Sequence, residues 1–455
     1  MDDLTSIEMD GLDFRRVTAI LDAVEARDTP QIEALMLPLH AADIADLLEQ
    51  ISGPDRRALL ALWSEGIDGE VLSEIDESIR EEVIEALPRE VITEAMRELD
   101  SDDVVDILED LDAPQQGLIL DALEDADRVA VKQALAFPEG SAGRLMQREV
   151  VVAPEHWTVG EAIDHLRTAQ HLPEQFYHVI LIDPRMQPRG YVTLGRLLSS
   201  RREMRLQVIL EDSYRTIEAT DLEADVAYLF NQYHLISAPV VDGSGRLVGV
   251  ITIDDAMNVL DEEHEEDMLR LAGVGDDSSM SDGAFATARA RLPWLAVNLV
   301  TASLSALVIS AFQDTIIALV ALAALMPIVA STGGIAGTQS LAVAVRALAT
   351  RSLTPANARR VVARELGAGL LNGVGLAIIL GLAGTLVFGD PLLGLVLGLA
   401  MIVNQVVAAL GGVLVPLTLS RVGLDPALAS GTFVTTLTDV MGFFAFLGLA
   451  SLVLI

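Results

Sequence analysis

The chain has 455 residues, of which 67 are acidic and 30 are lysine or arginine, so its formal net charge at pH 7 is −37. A surface this negative argues against nucleic acid as a partner, because phosphate binding needs a basic patch. The chain contains no cysteine, which excludes disulfide bonds, cysteine–zinc sites and thiol chemistry.

The charge is distributed over two different halves. Residues 1–290 carry 62 of the acidic and 23 of the basic residues, whereas residues 291–455 carry only five acids and seven arginines among Leu, Ala, Val, Gly and Ile. This contrast predicts an aqueous half followed by a membrane half. The acidic start at Met1 has no basic segment leading into an apolar one, so we expect no signal peptide and a cytosolic N-terminal half.

The first repeat predicts a helical domain. Residues 43–51 recur sixty residues later as residues 103–111, and each copy is followed by a proline, Pro54 or Pro114. The apolar residues recur at helical spacing. We therefore predict an all-α superhelical domain over residues 1–138.

A second repeat, with an offset of 59, relates residues 179–194 to residues 238–253. Each copy is predicted to form a helix, a strand, a turn, a strand and a helix. Two such α+β units in tandem resemble a pair of CBS domains, at residues 139–204 and 205–263. CBS pairs often bind adenosine nucleotides through a Thr-x-x-Asp pattern.

Only one copy carries that pattern. The second copy has Thr252 followed by Asp255, whereas Arg196 follows Thr193 in the first copy. The resemblance therefore implies Asp255 as the only candidate nucleotide ligand of this pattern.

An acidic run, residues 260–267, follows the second CBS unit. It predicts an acidic helix that leads towards the membrane, within a connecting segment at residues 264–290. The alternative is an ordinary solvated face, which is what most charge runs form.

The membrane half contains five apolar segments, each at least the roughly 20 residues needed to cross a bilayer. They cover residues 292–312, 315–349, 361–388, 391–420 and 427–455. Together they predict an α-helical transmembrane domain of five spans at residues 291–455.

The arginines around these spans predict the orientation. They lie at the start of the first span, or in the second and fourth connections and the span ends beside them: Arg289, Arg291, Arg346, Arg351, Arg359, Arg360, Arg364 and Arg421. The other two connections carry no basic residue. The positive-inside rule then predicts a cytoplasmic N-terminus and an outside C-terminus.

One acid lies near the middle of the last span. An ionised Asp439 at that depth would cost at least about 2.5 kcal/mol, so we expect it to face water or a cation. The alternative is a protonated carboxyl bonded to a neighbouring helix.

The second span contains the glycine-rich stretch 326–339. Pro327 and three glycines predict a break in the helix that exposes carbonyls to a cavity. The alternative is close helix packing, since Gly333 and Gly337 form a G-x-x-x-G pattern.

Four motifs and the domain order resemble the MgtE family of magnesium transporters over nearly the whole chain. The motifs are residues 137–146, 326–339, 345–350 and 435–439. The resemblance implies a non-enzymatic homodimer in the lipid of the cell membrane, which moves Mg²⁺ through a pore between the protomers. It also implies that Mg²⁺ is both cargo and regulator.

The resemblance assigns roles to individual residues. The implied pore residues are Asp439, Ser331, Gly333, Gly334 and Thr435. The implied regulatory ligands are Asp102, Asp106, Asp255, Glu263, Glu266 and Asp267. The chain departs from the family pattern in having Ile335 where many members have Asn, and His234 and Asn258 where two family acids would stand.

No phosphate-binding loop is present, so we expect transport down the electrochemical gradient. An inside-negative potential makes that direction inward. Because the acids of residues 1–290 repel one another unless cations neutralise them, we expect cytosolic Mg²⁺ to close the channel. Three alternatives stay open. They are another divalent cargo (Co²⁺, Mn²⁺ or Ca²⁺), a carrier coupled to protons or sodium, and a CBS-bearing membrane receptor that senses nucleotide.

Overall fold

The computed structural model describes residues 12–169, 172–173, 175–211, 214–274, 284–354 and 356–455. The chain divides into two compact units, Met1–Asp261 and Glu262–Ile455. Each unit has its own hydrophobic core.

From residue 12 onwards, the part that the structure describes, the N-terminal unit begins with ten short helices, which confirms the predicted all-α domain. They are α1 Phe14–Ala26, α2 Thr29–Met36, α3 Ala41–Gln50, α4 Gly53–Leu62, α5 Gly69–Glu74, α6 Glu77–Ala86, α7 Arg89–Glu98, α8 Ser101–Glu109, α9 Ala113–Ala122 and α10 Asp125–Ala134. Several begin at a capping residue whose side chain accepts a hydrogen bond from a backbone N–H of the first turn, such as Asp13, Ser52 and Asp112. Such caps, spaced about a dozen residues apart, stop any helix from growing long. The aliphatic faces of all ten helices join one core.

The sixty-residue repeat corresponds to a repeated contact. Arg56 donates from Nε to the Leu48 carbonyl at 2.8 Å and from Nη2 to the Ile51 carbonyl at 3.3 Å. Sixty residues later, Gln116 donates from Nε2 to the two corresponding carbonyls, at 2.9 and 3.0 Å. Each donor, the buried Arg56 and the half-buried Gln116, satisfies the free carbonyls at the end of the preceding helix.

Two α+β units follow. The first contains β1 Val152–Pro154, α12 Val159–Thr168, β2 His178–Ile182, β3 Pro188–Thr193 and α13 Leu194–Ser199, and the short α11 Ala142–Leu145 that precedes it packs in the core of the second unit. The second contains β4 Ile217–Glu218, α14 Glu223–Tyr233, β5 Ser237–Val241, β6 Leu247–Thr252 and α15 Ile253–Leu271. In each three-stranded sheet the first strand is parallel to the second, and the second is antiparallel to the third. The sequence predicted the last two strands but missed β1 and β4, which are too short to show a period of two.

The acidic run does not begin a new helix. It forms the second half of α15, which continues without interruption from the second CBS unit to Leu271. The predicted connecting segment, residues 264–290, therefore starts inside α15. Its residues 275–283 lie outside the described residues.

The C-terminal unit consists of α16 Ala284–Ala311, α17 Gln313–Ala318, α18 Ala321–Ala349, α19 Ala358–Phe388, α20 Pro391–Val422 and α21 Pro426–Val453. Among the described residues, five helical segments are long and apolar enough to cross a membrane, in α16 and α18–α21. The five predicted spans are confirmed. The second span starts at Ala321 rather than at residue 315. The short α17 precedes it, and Leu319, which follows α17, has a non-helical backbone.

The predicted break in the second span is wrong. α18 is helical throughout, with Pro327 inside it. Its glycines instead allow close approach of neighbouring helices. A Cβ placed on Gly337 would lie 2.6 Å from Val434 of α21, and one placed on Gly412 of α20 would lie 2.7 Å from the Gly337 carbonyl. The alternative interpretation, close helix packing, is the one the structure supports.

Candidate ion pathway and regulatory acids

Asp439 lies on α21 and is half-buried. Within the described part of the chain its carboxylate has no hydrogen bond or ion pair. The hydroxyls of the preceding turn are engaged within their own helix, since Thr435 donates to the Gly431 carbonyl at 2.9 Å and Thr438 to the Thr435 carbonyl at 2.8 Å. The carboxylate is therefore available to a ligand from outside this set of residues.

The glycine face of α18 packs beside the turn that precedes Asp439. A Cβ placed on Gly334 would lie 3.8 Å from the methyl group of Thr435. Ser331 is exposed on the surface of the unit. Because α18 is unbroken, the carbonyls of Ser331, Gly333 and Gly334 point along the helix axis, and their role as ion ligands stays a prediction.

Asn404 of α20 is a residue that the sequence analysis missed. Its side chain is fully buried, and Nδ2 donates to the Val329 carbonyl of α18 at 2.7 Å. A Cβ on Gly333 would lie 2.1 Å from Nδ2, and one on Gly442 of α21 would lie 3.0 Å from it. The amide thus fills the space between two glycines and joins three helices.

The signal for this contact was present in the sequence. Asn404 and Gln405 are adjacent amides in an otherwise apolar span, and polar residues at that depth usually serve packing or function. Gln405 donates to the Thr332 carbonyl at 3.4 Å. Among the described residues, the Oδ1 atom of Asn404 has no hydrogen-bond partner.

A group of acids gathers where α8 meets the start of α15, both within the N-terminal unit. Asp102 is buried at 7% exposure. Asp255 is engaged by Thr252, whose hydroxyl donates to Oδ2 at 2.7 Å. Asp102 and Asp255 were predicted as ligands, whereas Asp100 and Asp103, which complete the group, were not.

Burial and mutual repulsion raise the pKa values in this acid group. Burial, followed by the charge of Asp255, raises the pKa of Asp102 well above its ordinary value. The same causes raise the pKa of Asp103 to about 7. Burial also raises the pKa of Asp255 to about 6, against the opposing hydrogen bonds from Thr252. Such a group stores repulsion that a bound cation would relieve.

Asp106 belongs to a different contact. Its exposed carboxylate lies 3.0 Å from Nη1 of the buried Arg80, which also pairs with Asp110. Nε of Arg80 donates to the Ile75 carbonyl at 3.1 Å. The predicted regulatory ligand Asp106 is thus already paired with a cation, while Asp102 and Asp255 are not.

Further hydrogen bonds hold α8 against the segment that leads into the first CBS unit. Ser101 Oγ donates to Glu149 Oε2 at 2.9 Å and accepts from the backbone N–H of Arg148 at 2.9 Å. Gln147 Nε2 donates to Asp100 Oδ2 at 3.2 Å. These bonds hold α8 in place despite the repulsion among its acids.

The remaining predicted ligands lie on the second half of α15. Glu266 pairs with Arg270 at 2.8 Å, and Arg270 also lies 2.9 Å from Asp425 at the start of α21. Burial, followed by the charge of Asp425, raises the pKa of Asp267. Burial and the charges of Asp267 and Asp425 also raise the pKa of Glu263. Asp425 was missed because it falls in a connection between two spans.

Within the described residues, no three acidic or histidine side chains form a ready metal cage. Mg²⁺ does not need one, since it keeps several waters and takes one or two carboxylates. Asp102 and Asp255 fit that requirement. Because Asp255 faces these acids and also bonds Thr252, its carboxylate is the one side chain to which both the metal and the nucleotide predictions apply.

Five membrane helices and a separate acid-rich unit with a CBS pair define a multi-pass membrane protein with a large aqueous domain. Three sequence profiles match it. They are described as a divalent cation transporter at residues 326–449, the MgtE intracellular N domain at residues 39–140, and the CBS domain at residues 142–203 and 208–262.

The magnesium transporter MgtE of Thermus thermophilus is 34% identical over 449 residues, which cover 97% of this chain and 99% of that protein. The magnesium transporter MgtE of Bacillus subtilis is 30% identical and covers 77% of this chain and 78% of that protein. A solved structure of the cytosolic domain of the Mg²⁺ channel MgtE in complex with ATP is 28% identical, with a TM-score of 0.49, and covers 53% of this chain and 99% of that one. The chain belongs to the MgtE family of magnesium transporters, and its N domain is intracellular.

Proposed function

We propose that this protein is a channel that carries Mg²⁺ into the cytoplasm down its electrochemical gradient. The observation that carries the proposal is Asp439, a half-buried carboxylate inside a membrane span with no partner among the described residues. A charge at that depth is retained where it meets an ion pathway.

The chemistry of the residues near Asp439 suits a hydrated ion. Mg²⁺ gives up its waters reluctantly, so one carboxylate and the neighbouring hydroxyls of α21 can hold it through those waters. An inside-negative potential drives a double positive charge inward by roughly 4.6 kcal/mol per 100 mV. No further source of energy is required.

We place the pore between two copies of the chain, with one Asp439 from each. Two facing carboxylates would match the charge of one divalent ion. The same arrangement explains why a single protomer leaves this carboxylate without a partner. Cross-linking of the full chain in lipid vesicles is expected to yield dimers.

The test is ion flux in liposomes that contain the purified full chain. Mg²⁺ should enter in response to an inside-negative potential, without added protons or sodium as a driving gradient. Flux of Co²⁺, Mn²⁺ or Ca²⁺ in place of Mg²⁺ would favour another divalent cargo, and dependence on a proton or sodium gradient would favour a coupled carrier. A complete lack of flux would contradict the proposal.

We further propose that cytosolic Mg²⁺ closes this channel. The acids of α8 and α15 repel one another where the two helices meet, and a cation that binds there stabilises the docked arrangement. In the sequence α15 precedes the first membrane span, so a change in docking can reach the membrane unit through the chain itself. Low Mg²⁺ would then favour undocking and an open channel.

The gating test compares two sets of neutralised acids. Asp102, Asp103 and Asp255 changed together to Asn should leave the channel open at Mg²⁺ concentrations that close the wild type. The control changes three exposed acids of the helical domain, Glu81, Glu85 and Asp121, to the corresponding amides, so it removes the same number of carboxylates. If both sets leave the inhibition curve unchanged, or shift it equally, the acids serve only solubility.

The CBS pair supports one second candidate role, the sensing of an adenosine nucleotide. Only Thr252 and Asp255 match the nucleotide pattern, and both are engaged with each other. We therefore expect Asp255 to serve the metal. Tight ATP binding that Asp255→Asn abolishes, in a protein without Mg²⁺ flux, would favour the nucleotide receptor instead.

A further inference from the structure

A polar cavity of about 180 Å³ lies between α18, α19 and α20 of the membrane unit. Its polar lining consists of Gln339, Ser340, Glu365, Asn372 and Gln405, and the rest of the wall is mostly alanine and glycine. Small residues leave the space open, and the polar ones face it from all three helices. No residue of α21 lines this cavity among the described residues, so it is separate from Asp439.

Glu365 is the only charged residue in the lining, as far as the described residues go. Its side chain is 15% exposed within the third membrane span. Ser340 Oγ donates to Oε2 at 3.3 Å, and Arg364 Nη2 donates to Oε1 at 3.0 Å. Arg364 is 64% exposed and does not line the cavity, so it compensates the charge only from outside the cavity. A carboxylate can accept about four hydrogen bonds, and two of these positions remain for a ligand.

The size and lining of the cavity identify the class of ligand. The cavity has room for several water molecules, since each needs roughly 10–15 Å³ of such space, and Mg²⁺ keeps several of its waters when a protein binds it. The amide and hydroxyl oxygens can accept from such waters, while the carboxylate balances part of the charge. An apolar ligand would leave these groups without partners.

We propose that this cavity binds a hydrated divalent cation, Mg²⁺ in the cell, with Glu365 as its anionic group. Gln339, Ser340, Asn372 and Gln405 bond the waters of that ion. The ion joins α19 to α18, the helix that carries residues 331–334 beside α21. The membrane unit would then hold Mg²⁺ at a second place, separated from α21 by α18, which packs beside Thr435.

The test is anomalous diffraction from crystals of the full chain soaked in Mn²⁺. A cation bound through its waters should give a peak inside the cavity about 4–5 Å from the Glu365 carboxylate, the sum of a metal–water and a hydrogen-bond distance. Glu365→Gln should lose this peak. Asp314→Asn, the same charge change at an exposed residue of α17, should keep it.

A wild-type cavity that holds only water, in crystals whose other acid sites are occupied by Mn²⁺, would overturn the proposal. A peak that persists in Glu365→Gln would overturn the role of the carboxylate. The wild-type crystal decides the first question even if the variant fails to fold. The experiment measures occupancy and not flux, so its failure is distinguishable from failure of the proposed channel function.

Discussion

A carboxylate without a protein partner has different consequences in a bilayer and in water. On the surface it is hydrated, whereas in a span it must find water or an ion, or take up a proton. Asp439 is in the second situation, and the residues beside it are neutral. The charge of Asp439 therefore contributes little to folding, and the proposed pore gives this carboxylate a function.

We predict that Asp439→Asn abolishes Mg²⁺ flux while the protein stays folded and dimeric. The substitution keeps the shape of the side chain and removes the charge that attracts the ion. Flux into liposomes and size-exclusion chromatography are the measurements. Asp314→Asn is the matched control and should transport normally; near-normal flux in Asp439→Asn would rule out the pore assignment.

Adjacent glycines in α18 should respond in opposite ways to alanine. A Cβ at residue 333 would lie 2.1 Å from Asn404 Nδ2, whereas at residue 334 its nearest neighbour would be 3.8 Å away. Gly333→Ala should destabilise the membrane unit, because overpacking costs about 1–3 kcal/mol. Gly334→Ala should be neutral or stabilising, since alanine gains up to about 1 kcal/mol over glycine in a helix.

Thermal unfolding of the two variants in detergent measures this difference. Equal melting temperatures would mean that Asn404 does not fill the space between Gly333 and Gly442. The comparison is internally controlled, because the two glycines are neighbours in one helix and undergo the same substitution.

At the scale of elements, buried acids of like charge face one another where the start of α8 lies near the start of α15. Burial raises the pKa values of Asp103 and Asp255 to about 7 and about 6, from ordinary values near 3.8. At pH values between the ordinary and the raised pKa values, the docked helices therefore bind more protons than separated helices do. Docking is favoured at low pH, and this stability is lost as the pH rises through about 6 to 7.

We predict that Mg²⁺ stabilises the contact between α8 and α15 more strongly at pH 8 than at pH 5.5. Ligands must lose their protons to bind a metal, so protons and Mg²⁺ compete for these acids. Hydrogen exchange of α8 in the full chain, measured with and without Mg²⁺ at both pH values, is the test. An equal effect of Mg²⁺ at both pH values would contradict the assignment of these acids as ligands.

At the scale of the whole molecule, the arginines on alternate connections predict five spans with the C-terminus outside. The five helices themselves are present. We predict that a reporter fused after Ile455 is exposed to the outside and that one fused before Asp13 is cytoplasmic. A cytoplasmic signal from the C-terminal reporter would mean that one of the helices between residues 361 and 420 does not cross.

Composition and periodicity were sufficient to predict much of the fold of this protein. Long apolar runs predict spans because no other structure satisfies the backbone in lipid, and the sixty-residue repeat predicts stacked helices. Asp439 was identifiable because a lone acid in an apolar run is costly unless it meets water or an ion. Local patterns of this kind need no knowledge of what lies across the fold.

Only the tertiary structure decided the contacts between distant segments. Pro327 and its glycines predicted a broken helix, yet packing against α20 and α21 keeps α18 intact and uses Gly333 to accommodate Asn404. Likewise, Asp103 joins the acids around Asp255 while Asp106, three residues on, pairs with Arg80. The sequence assigns both acids to one helix, but the environment of each depends on what the fold brings against it.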